Sequence, residues 1–268
     1  MAKPRTWLIG IASLLISCPA SAEQPSSWQV AGLTRAATEL SNDCKVKSAY
    51  GPRAALRSMR QALKERRTVK VLAIGSSSTV GVGASSPAAA YPVRLESNLE
   101  AFLPGLDVQV TNRGVSGETG HEAVERLKLE VAENEPDLVL WQVGTNDAMA
   151  RIDEDEFADT LRSALRWLTA NHIDVMLIDP QYVERLASDH HYTDIVKTIG
   201  RIAREERVLL VNRFEAMADL AKRGGNATYL AQDLFHPNDL GYRCMAEYAA
   251  RAIAAGILQA EAEAVPVP

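Results

Sequence analysis

Residues 69–79 read Val-Lys-Val-Leu-Ala-Ile-Gly-Ser-Ser-Ser-Thr, a short apolar run followed by a glycine and a turn rich in serine. A run of this length that is almost continuously apolar is typical of a strand buried on both faces of a parallel sheet. In such sheets, ligands bind beyond the carboxyl ends of the strands. The serines after this strand are therefore the first place to look for chemistry.

Four more runs of the same kind follow along the chain, and helical patterns fill the gaps between them. The apolar runs cover residues 108–110, 137–143, 174–178 and 208–211, and the helical patterns cover 91–102, 122–134, 154–171, 193–206 and 240–257. Strands that alternate with helices predict a parallel sheet with helices on both sides. The predicted fold class is α/β, a three-layer αβα sandwich around a five-stranded parallel sheet.

The composition limits the classes of protein to consider. Of the 268 residues, 47% are hydrophobic and 24% are charged, as in an ordinary globular protein. The 29 Lys and Arg against 34 Asp and Glu give a net charge of −5, which argues against a nucleic-acid partner. The sequence contains neither a Walker A loop nor a zinc motif, so we expect no nucleotide, metal or other cofactor.

The first 22 residues have the pattern of a secretory signal peptide. Lys3 and Arg5 precede an apolar run at 7–16, and Ala-Ser-Ala at 20–22 supplies the small residues that a signal peptidase needs. We expect an exported protein, periplasmic or secreted, with no transmembrane span in the mature chain. Residues 15–18, Leu-Ile-Ser-Cys, resemble a bacterial lipobox, so a lipoprotein anchored at Cys18 is the second interpretation, although Pro19 is a poor context for that cleavage.

The rest of the chain divides into an extension, a domain and a tail. Residues 23–67 are predicted to form a helical N-terminal extension with a helix over 50–67, residues 68–260 the domain that carries the sheet, and residues 261–268 a flexible tail. Cys44 and Cys244 can pair in an oxidising compartment, and two free buried thiols are the alternative. His190 and His191 are expected in an exposed loop after the fourth strand.

Four polar turns carry residues that can act together. They read Gly-Ser-Ser-Ser-Thr at 75–79, Asn-Arg-Gly-Val-Ser-Gly-Glu-Thr at 112–119, Gly-Thr-Asn-Asp at 144–147 and Asp-Leu-Phe-His-Pro at 233–237. Each alone is a common kind of turn or helix cap. Together they supply a serine nucleophile, a histidine base, an aspartate that orients the base and donors for an oxyanion.

This set and its order resemble the SGNH hydrolases, the superfamily of GDSL esterases and lipases, over residues 69–257. The resemblance implies a flavodoxin-like SGNH hydrolase fold, with Ser77 as the nucleophile, His236 as the base and Asp233 as its partner. It also implies an oxyanion hole made by the backbone N–H groups of Ser77 and Gly117 and the side-chain amide of Asn146.

One position departs from the pattern of that superfamily. Ser76 stands where GDSL enzymes usually carry aspartate. Because Ser76, Ser77 and Ser78 are adjacent hydroxyls, the assignment of the nucleophile to Ser77 rests on the register of the resemblance. The departure concerns the hydrogen bonding within this turn more than it concerns catalysis.

The sequence thus predicts an exported serine esterase that forms an acyl-enzyme on Ser77. Its partner would be a small-molecule or polysaccharide ester, such as an O-acetylated saccharide or a small acyl or lipid ester. A content of 6% aromatic residues favours small acyl groups over long-chain lipids. The alternatives are a thioesterase or lysophospholipase with the same site, and a non-catalytic protein that binds envelope glycans on the same scaffold. The oligomeric state stays open.

Overall fold

The computed structural model describes residues 40–65, 67–102 and 107–264. The signal peptide predicted at 1–22, with the lipobox cysteine Cys18, lies outside the described residues. So do residues 23–39 of the predicted extension and residues 265–268 of the predicted tail.

Five parallel strands form one sheet in the order β2-β1-β3-β4-β5. The strands are β1 Val69–Gly75, β2 Val108–Gly114, β3 Leu138–Gln142, β4 Asp174–Ile178 and β5 Leu209–Val211. The chain runs from β1 outward to β2 and then returns to the other side of β1 to form β3. At Gly75 the three carboxyl ends are in register, with Gly114 on one side and Gln142 on the other. The turns after these strands therefore meet at the point where the strand order reverses.

Ten α-helices of the described residues connect and cover the strands. They are α1 Arg57–Glu65, α2 Ser77–Val80, α3 Tyr91–Phe102, α4 Gly120–Asn134, α5 Thr145–Met149, α6 Glu154–Ala170, α7 Glu184–Ala187, α8 His190–Glu205, α9 Arg213–Gly224 and α10 Asp239–Ala264.

Alternate side chains of the strands belong to two separate apolar cores. Val71 and Leu140 point into the first core, which includes residues of α1, α3, α9 and α10. Leu72 and Trp141 point into the second, which includes residues of α4, α6 and α8. β3 and β5 are buried along their whole length, and β1 and β4 are buried except at one residue each, which explains their apolar sequences. The edge strand β2 is buried only at Val108. The predicted three-layer sandwich is confirmed.

The segment before β1 packs differently from its prediction. The helix predicted over 50–67 is wrong at its start, since α1 begins only at Arg57. The backbone of residues 49–51 instead runs along the outer edge of β5, where the N–H of Gly51 donates to the carbonyl of Leu210 and the N–H of Asn212 donates to the carbonyl of Ala49, both at 3.0 Å. Pro52 disfavours a helical residue before it. This segment covers an edge strand that would otherwise expose unpaired backbone groups.

Residues 44–62 are also part of the first core and not a unit apart from it. Cys44, Leu56 and Met59 are at most 1% exposed and contact the same core as the sheet. A disulfide joins Cys44 to Cys244 of α10, so the pairing allowed by the sequence is the one that the structure has.

The last helix is longer than predicted. α10 continues to Ala264, so the flexible tail predicted from residue 261 is wrong for residues 261–264. Two ion pairs with α1 hold this end, Arg60 with Glu261 at 2.9 Å and Arg57 with Glu263 at 2.7 Å. Within the described part of the chain, no helix is long and apolar enough to cross a membrane.

The loop predicted for His190 and His191 is also wrong, because both residues lie in the first turn of α8. Asp189 caps this helix by accepting the N–H of His191 at 3.0 Å. Tyr192 and Ile195, which are both buried, fix the first turn on the second core.

Candidate active site

Ser77 lies at the junction between β1 and α2. β1 ends at Gly75, which has a φ of +145° and where a Cβ would lie 2.5 Å from the carbonyl oxygen of Gln142, so only glycine fits this turn. Ser77 then becomes the first residue of α2. Ser76 and Ser78 are 5% and 1% exposed, whereas Ser77 is partly exposed. The turn therefore presents one of three adjacent hydroxyls to solvent, that of Ser77.

His236 and Asp233 lie together on the turn before α10. Nε2 of His236 is 2.9 Å from Oγ of Ser77, and Nδ1 is 2.6 Å from Oδ2 of Asp233. The other carboxylate oxygen of Asp233 accepts the N–H groups of Phe235 and His236, at 2.9 and 3.0 Å. Leu234 adopts the left-handed conformation, with a φ of +52°. This compact turn lets two side chains three residues apart align with one serine.

Hydrogen bonding sets the charge of Asp233. Burial acts to raise the pKa of Asp233, but hydrogen bonds from the side chain and N–H of His236 and from the N–H of Phe235 outweigh it and lower that pKa. Asp233 is therefore a carboxylate at neutral pH and only accepts hydrogen bonds. Nδ1 of His236 must then carry the proton, which leaves Nε2 free to accept the hydroxyl proton of Ser77.

The predicted oxyanion donors lie on three neighbouring turns. Among the described residues, the N–H groups of Ser77 and Gly117 have no hydrogen-bond acceptor. Asn146 gives one amide hydrogen to the carbonyl of Glu118, at 2.8 Å, which leaves its second amide hydrogen for a ligand. Gly117 has a φ of +84° and open space where a Cβ would be, so its backbone conformation, and not crowding, favours glycine.

Further hydrogen bonds join these turns to one another. The N–H of Val115 donates to the carbonyl of Gly75 at 2.8 Å, which ties the turn after β2 to the end of β1. The contact between Asn146 and Glu118 ties the turn after β3 to the turn after β2. The buried carboxylate of Glu118 binds Arg126 of α4 through two contacts, at 2.5 and 2.8 Å. A two-armed pair of this kind fixes direction as well as distance.

Asp147 holds the turn that carries Asn146. One of its carboxylate oxygens accepts the N–H of Gly120 at 2.7 Å, and the other accepts the N–H of Gly144 at 3.2 Å. Because Gly120 begins α4, this side chain connects the turn after β3 to the start of the next helix. Burial raises the pKa of Asp147 in spite of these two hydrogen bonds.

Gln142 explains how the turn accommodates serine at position 76. Its side-chain oxygen accepts both the N–H and the hydroxyl of Ser76, at 3.1 and 2.9 Å. Sequence reasoning missed this residue, although a glutamine inside the apolar run at 137–143 was a visible signal. It also missed the roles of Glu118, Arg126 and Asp147, which depend on contacts between separate turns.

The structure brings Ser77, His236 and Asp233 into hydrogen-bond contact, and it places Gly117 and Asn146 on the turns after the two strands that flank β1. The arrangement can take a proton from one serine hydroxyl and donate hydrogen bonds to a developing oxyanion. Over residues 40–65, 67–102 and 107–264, no group of three His, Cys, Asp or Glu side chains has the arrangement of a metal site.

Comparison with known proteins finds esterases that are similar in sequence to this chain. An acetylxylan esterase from Geobacillus stearothermophilus is 30% identical over 173 residues, which cover 59% of this chain and 76% of that protein. The esterase TesA from Pseudomonas aeruginosa is 26% identical over 141 residues, which cover 50% of this chain and 63% of that protein. The chain thus spans less than two thirds of TesA.

A similar solved structure is that of a two-domain esterase active on acetylated mannans. It has a TM-score of 0.67 and 21% identity, and the match covers 80% of this chain and 57% of the other. At this identity the likeness shows the fold alone, and the chain spans little more than half of the two-domain protein.

The model of the non-GDSL lipase-like family matches residues 43–259, which include every residue of the candidate site. These findings support the SGNH-like superfamily that the motifs indicated. The chain therefore belongs to the non-GDSL lipase-like family, and its esterase relatives identify it as a hydrolase that acts on ester bonds.

Proposed function

We propose that this protein is an exported serine esterase that hydrolyses carboxylic esters through an acyl-enzyme on Ser77. The observation that carries the proposal is the line of contacts from Ser77 to His236 and from His236 to Asp233, at 2.9 and 2.6 Å. A serine hydroxyl is a weak nucleophile at neutral pH, and an adjacent base oriented by a carboxylate is the usual way to activate it.

In the proposed reaction, Oγ of Ser77 attacks the ester carbonyl while Nε2 of His236 takes its proton. Asp233 stabilises the imidazolium that forms and keeps its ring in place. The oxyanion of the tetrahedral intermediate accepts hydrogen bonds from the N–H groups of Ser77 and Gly117 and from the free amide hydrogen of Asn146. His236 then gives the proton to the leaving alcohol, and a water molecule activated by the same imidazole releases the acid.

The proposed substrates are O-acetyl groups on saccharides. The acetylxylan esterase among the relatives supports this choice, as does the low content of aromatic residues, which offers little surface to a long acyl chain. An exported enzyme would meet such esters on extracytoplasmic polysaccharides. Thioesters and lysophospholipids are the alternative substrates, and a series of acyl chain lengths tested beside acetate release from acetylated xylan separates them.

The export step is proposed from residues 1–22, which carry the signal pattern. We expect the mature protein to begin at Glu23 and to lie in the periplasm or outside the cell. Intact-mass measurement of the protein from a bacterial envelope tests this step. A diacylglyceryl group on Cys18 would replace it with the lipoprotein route.

The decisive experiment compares variants of two of the three adjacent serines, Ser77 and Ser78, with p-nitrophenyl acetate as the substrate. Ser77→Ala should lose at least about 10³-fold in kcat, because the acyl-enzyme cannot form. Ser78→Ala is the matched control and should keep most of the activity, since that hydroxyl is buried. A fluorophosphonate probe should label Ser77 in the wild type. Equal turnover by the wild type and Ser77→Ala, with no labelling at this serine, would favour a glycan-binding protein without catalysis.

A further inference from the structure

Arg213, the first residue of α9, is completely buried. Its guanidinium donates from Nε to the backbone carbonyl of Asp179 and from one Nη to the side-chain oxygen of Gln181, both at 2.9 Å. Its other Nη lies 3.8 Å from the sulfur of Met245. A buried charge lowers stability unless hydrogen bonds or an opposite charge compensate it. The burial of Arg213 beneath the carboxyl edge of the sheet therefore needs an explanation.

No carboxylate of the described residues binds this guanidinium directly. The acid that interacts electrostatically with Arg213 is Asp179, whose carboxylate accepts a hydrogen bond from the N–H of Phe214 at 2.9 Å. Burial raises the pKa of Asp179 to about 7. The other titratable groups around the guanidinium are three buried tyrosines, Tyr91, Tyr192 and Tyr242. Buried charged groups can often be replaced by apolar residues without loss of stability, so stability alone does not explain Arg213 at this position.

The guanidinium sets the direction of a buried line of hydrogen bonds. Arg213 can only donate, so the atom of Gln181 that faces it must be the amide oxygen. The same oxygen lies 3.0 Å from Oγ1 of Thr145, so the threonine hydroxyl must donate to it. The hydroxyl of Tyr192 donates to the backbone carbonyl of Gln181 at 2.7 Å and holds that residue in place.

The line of hydrogen bonds from Arg213 through Gln181 ends at Thr145, next to the proposed oxyanion hole. Thr145 is 3% exposed and immediately precedes Asn146 in the first turn of α5. On the other side of Asn146, Asp147 is held by the N–H groups of Gly120 and Gly144. The amide that is to meet the oxyanion therefore sits between two anchored neighbours, and one of those anchors leads to Arg213.

We propose that Arg213 is a positioning residue for the oxyanion hole, which acts through Gln181 and Thr145 to fix the orientation of Asn146. The inference rests on the proposed function, because it requires Asn146 to be an oxyanion donor. Loss of the guanidinium lets the amide of Gln181 turn over and donate to Thr145 instead of accepting from it. The turn then loses its fixed hydrogen-bond direction, and the amide of Asn146 is less well placed when charge develops on the substrate.

The test is a set of double-mutant cycles with kcat and KM for p-nitrophenyl acetate as readouts. Thr145→Val breaks the line, keeps the shape of the side chain and leaves the buried cation in place; we expect kcat to fall about tenfold with KM little changed. Arg213→Met should lower kcat by about 10- to 100-fold, and Arg213→Lys should restore part of the loss. Asn146→Ala alone should cost about 10²–10³-fold in kcat.

The background of Asn146→Ala separates positioning from a structural role. In that background, Thr145→Val and Arg213→Met should lower kcat less than twofold further, because the group they orient is gone. Tyr248→Phe is the matched control, since it removes a buried hydrogen bond to the carbonyl of Cys44 that has no link to the line; its kcat should stay at the wild-type value.

Three outcomes overturn the inference. The first is that Thr145→Val lowers kcat by the same factor in the Asn146→Ala background as in the wild type. The second is that a folded Thr145→Val variant keeps the wild-type kcat. The third is that Asn146→Ala keeps full activity while Ser77→Ala loses it, in which case the proposed esterase stands and only this inference fails. If Arg213→Met does not fold, Thr145→Val and Arg213→Lys carry the test alone.

Discussion

Reduction of the bond between Cys44 and Cys244 should remove a large part of the stability of this fold. The bond closes a loop of 200 residues, and both cysteines lie in the first core. In the chain-entropy account, a cross-link over that distance restricts the unfolded chain by about 5 kcal/mol at 25 °C. Native domains are stable by only about 5–15 kcal/mol, so this bond accounts for a third or more of the total.

The assay is urea denaturation of the oxidised protein with and without a thiol reductant, followed by circular dichroism. With a slope near 2.5 kcal/mol per molar urea, the midpoint should fall by about 2 M, and the melting temperature by about 10–20 °C. The double variant Cys44→Ala with Cys244→Ala is the control, because its midpoint must not respond to the reductant. A shift below about 0.5 M in a wild type shown to be fully reduced by thiol titration would refute the reasoning.

Three further predictions concern single side chains. Asp233→Asn should lower kcat by up to about 10⁴-fold with little change in stability, because the amide can donate to Nδ1 of His236 and favour the wrong tautomer; steady-state kinetics and a melting curve check it. Gln142→Leu should lower the free energy of unfolding by about 2 kcal/mol in urea titrations, because it leaves the N–H and hydroxyl of Ser76 buried without an acceptor. Burial raises the pKa of Asp179 to about 7, so the folded state binds a proton at this carboxyl group more tightly than the unfolded state does. The free energy of unfolding of the wild type should therefore decrease as the pH rises from about 4 to about 7. The variant Asp179→Asn should abolish this decrease.

Each of these has a result that would contradict it. An Asp233→Asn variant that keeps the wild-type rate would exclude the proposed role of the carboxylate. If Gln142→Leu matches the stability of Gln142→Glu, loss of the acceptor is not what destabilises it. A pH dependence that is the same in the wild type and in Asp179→Asn would show that the carboxyl group does not titrate in this range.

β1, β3, β4 and β5 were predictable because they are buried on both faces, so their sequences are almost entirely apolar and a polar residue or glycine marks the carboxyl end. Only the apolar start of β2, at Val108 and Val110, was recognised, because the rest of that edge strand is polar and largely unburied. The contacts of Ser77, His236 and Asp233 were predictable through the resemblance of the turn motifs to the SGNH hydrolases, since the residues alone left three adjacent serines as possible nucleophiles. The path of residues 49–56 was not predictable, because it depends on pairing between Gly51 and Leu210, which are far apart in the chain. The same holds for the contact of Gln181 with Arg213, since only the folded sheet places β4 and β5 side by side.

The C-terminal end of α10 shows the limit of reading a helix from composition. The sequence after Ile257 is rich in alanine and glutamate and carries little apolar periodicity, so the helix was predicted to stop there. Its last turns are held instead by α1, through Arg60 and Glu261 and through Arg57 and Glu263. These partners precede the sheet in the chain, and their charge complementarity becomes visible only once the two helices lie side by side.

The long separation of Cys44 and Cys244 in the sequence also determines when their disulfide bond can form during synthesis of the chain. Synthesis proceeds from the N-terminus, so Cys44 is made early, and the whole sheet and the turn of His236 follow before Cys244. The bond can close only after Cys244 has arrived, when almost the entire chain is present. A chain that ends before Cys244 therefore cannot form this bond, so the closed bond distinguishes full-length molecules from truncated ones.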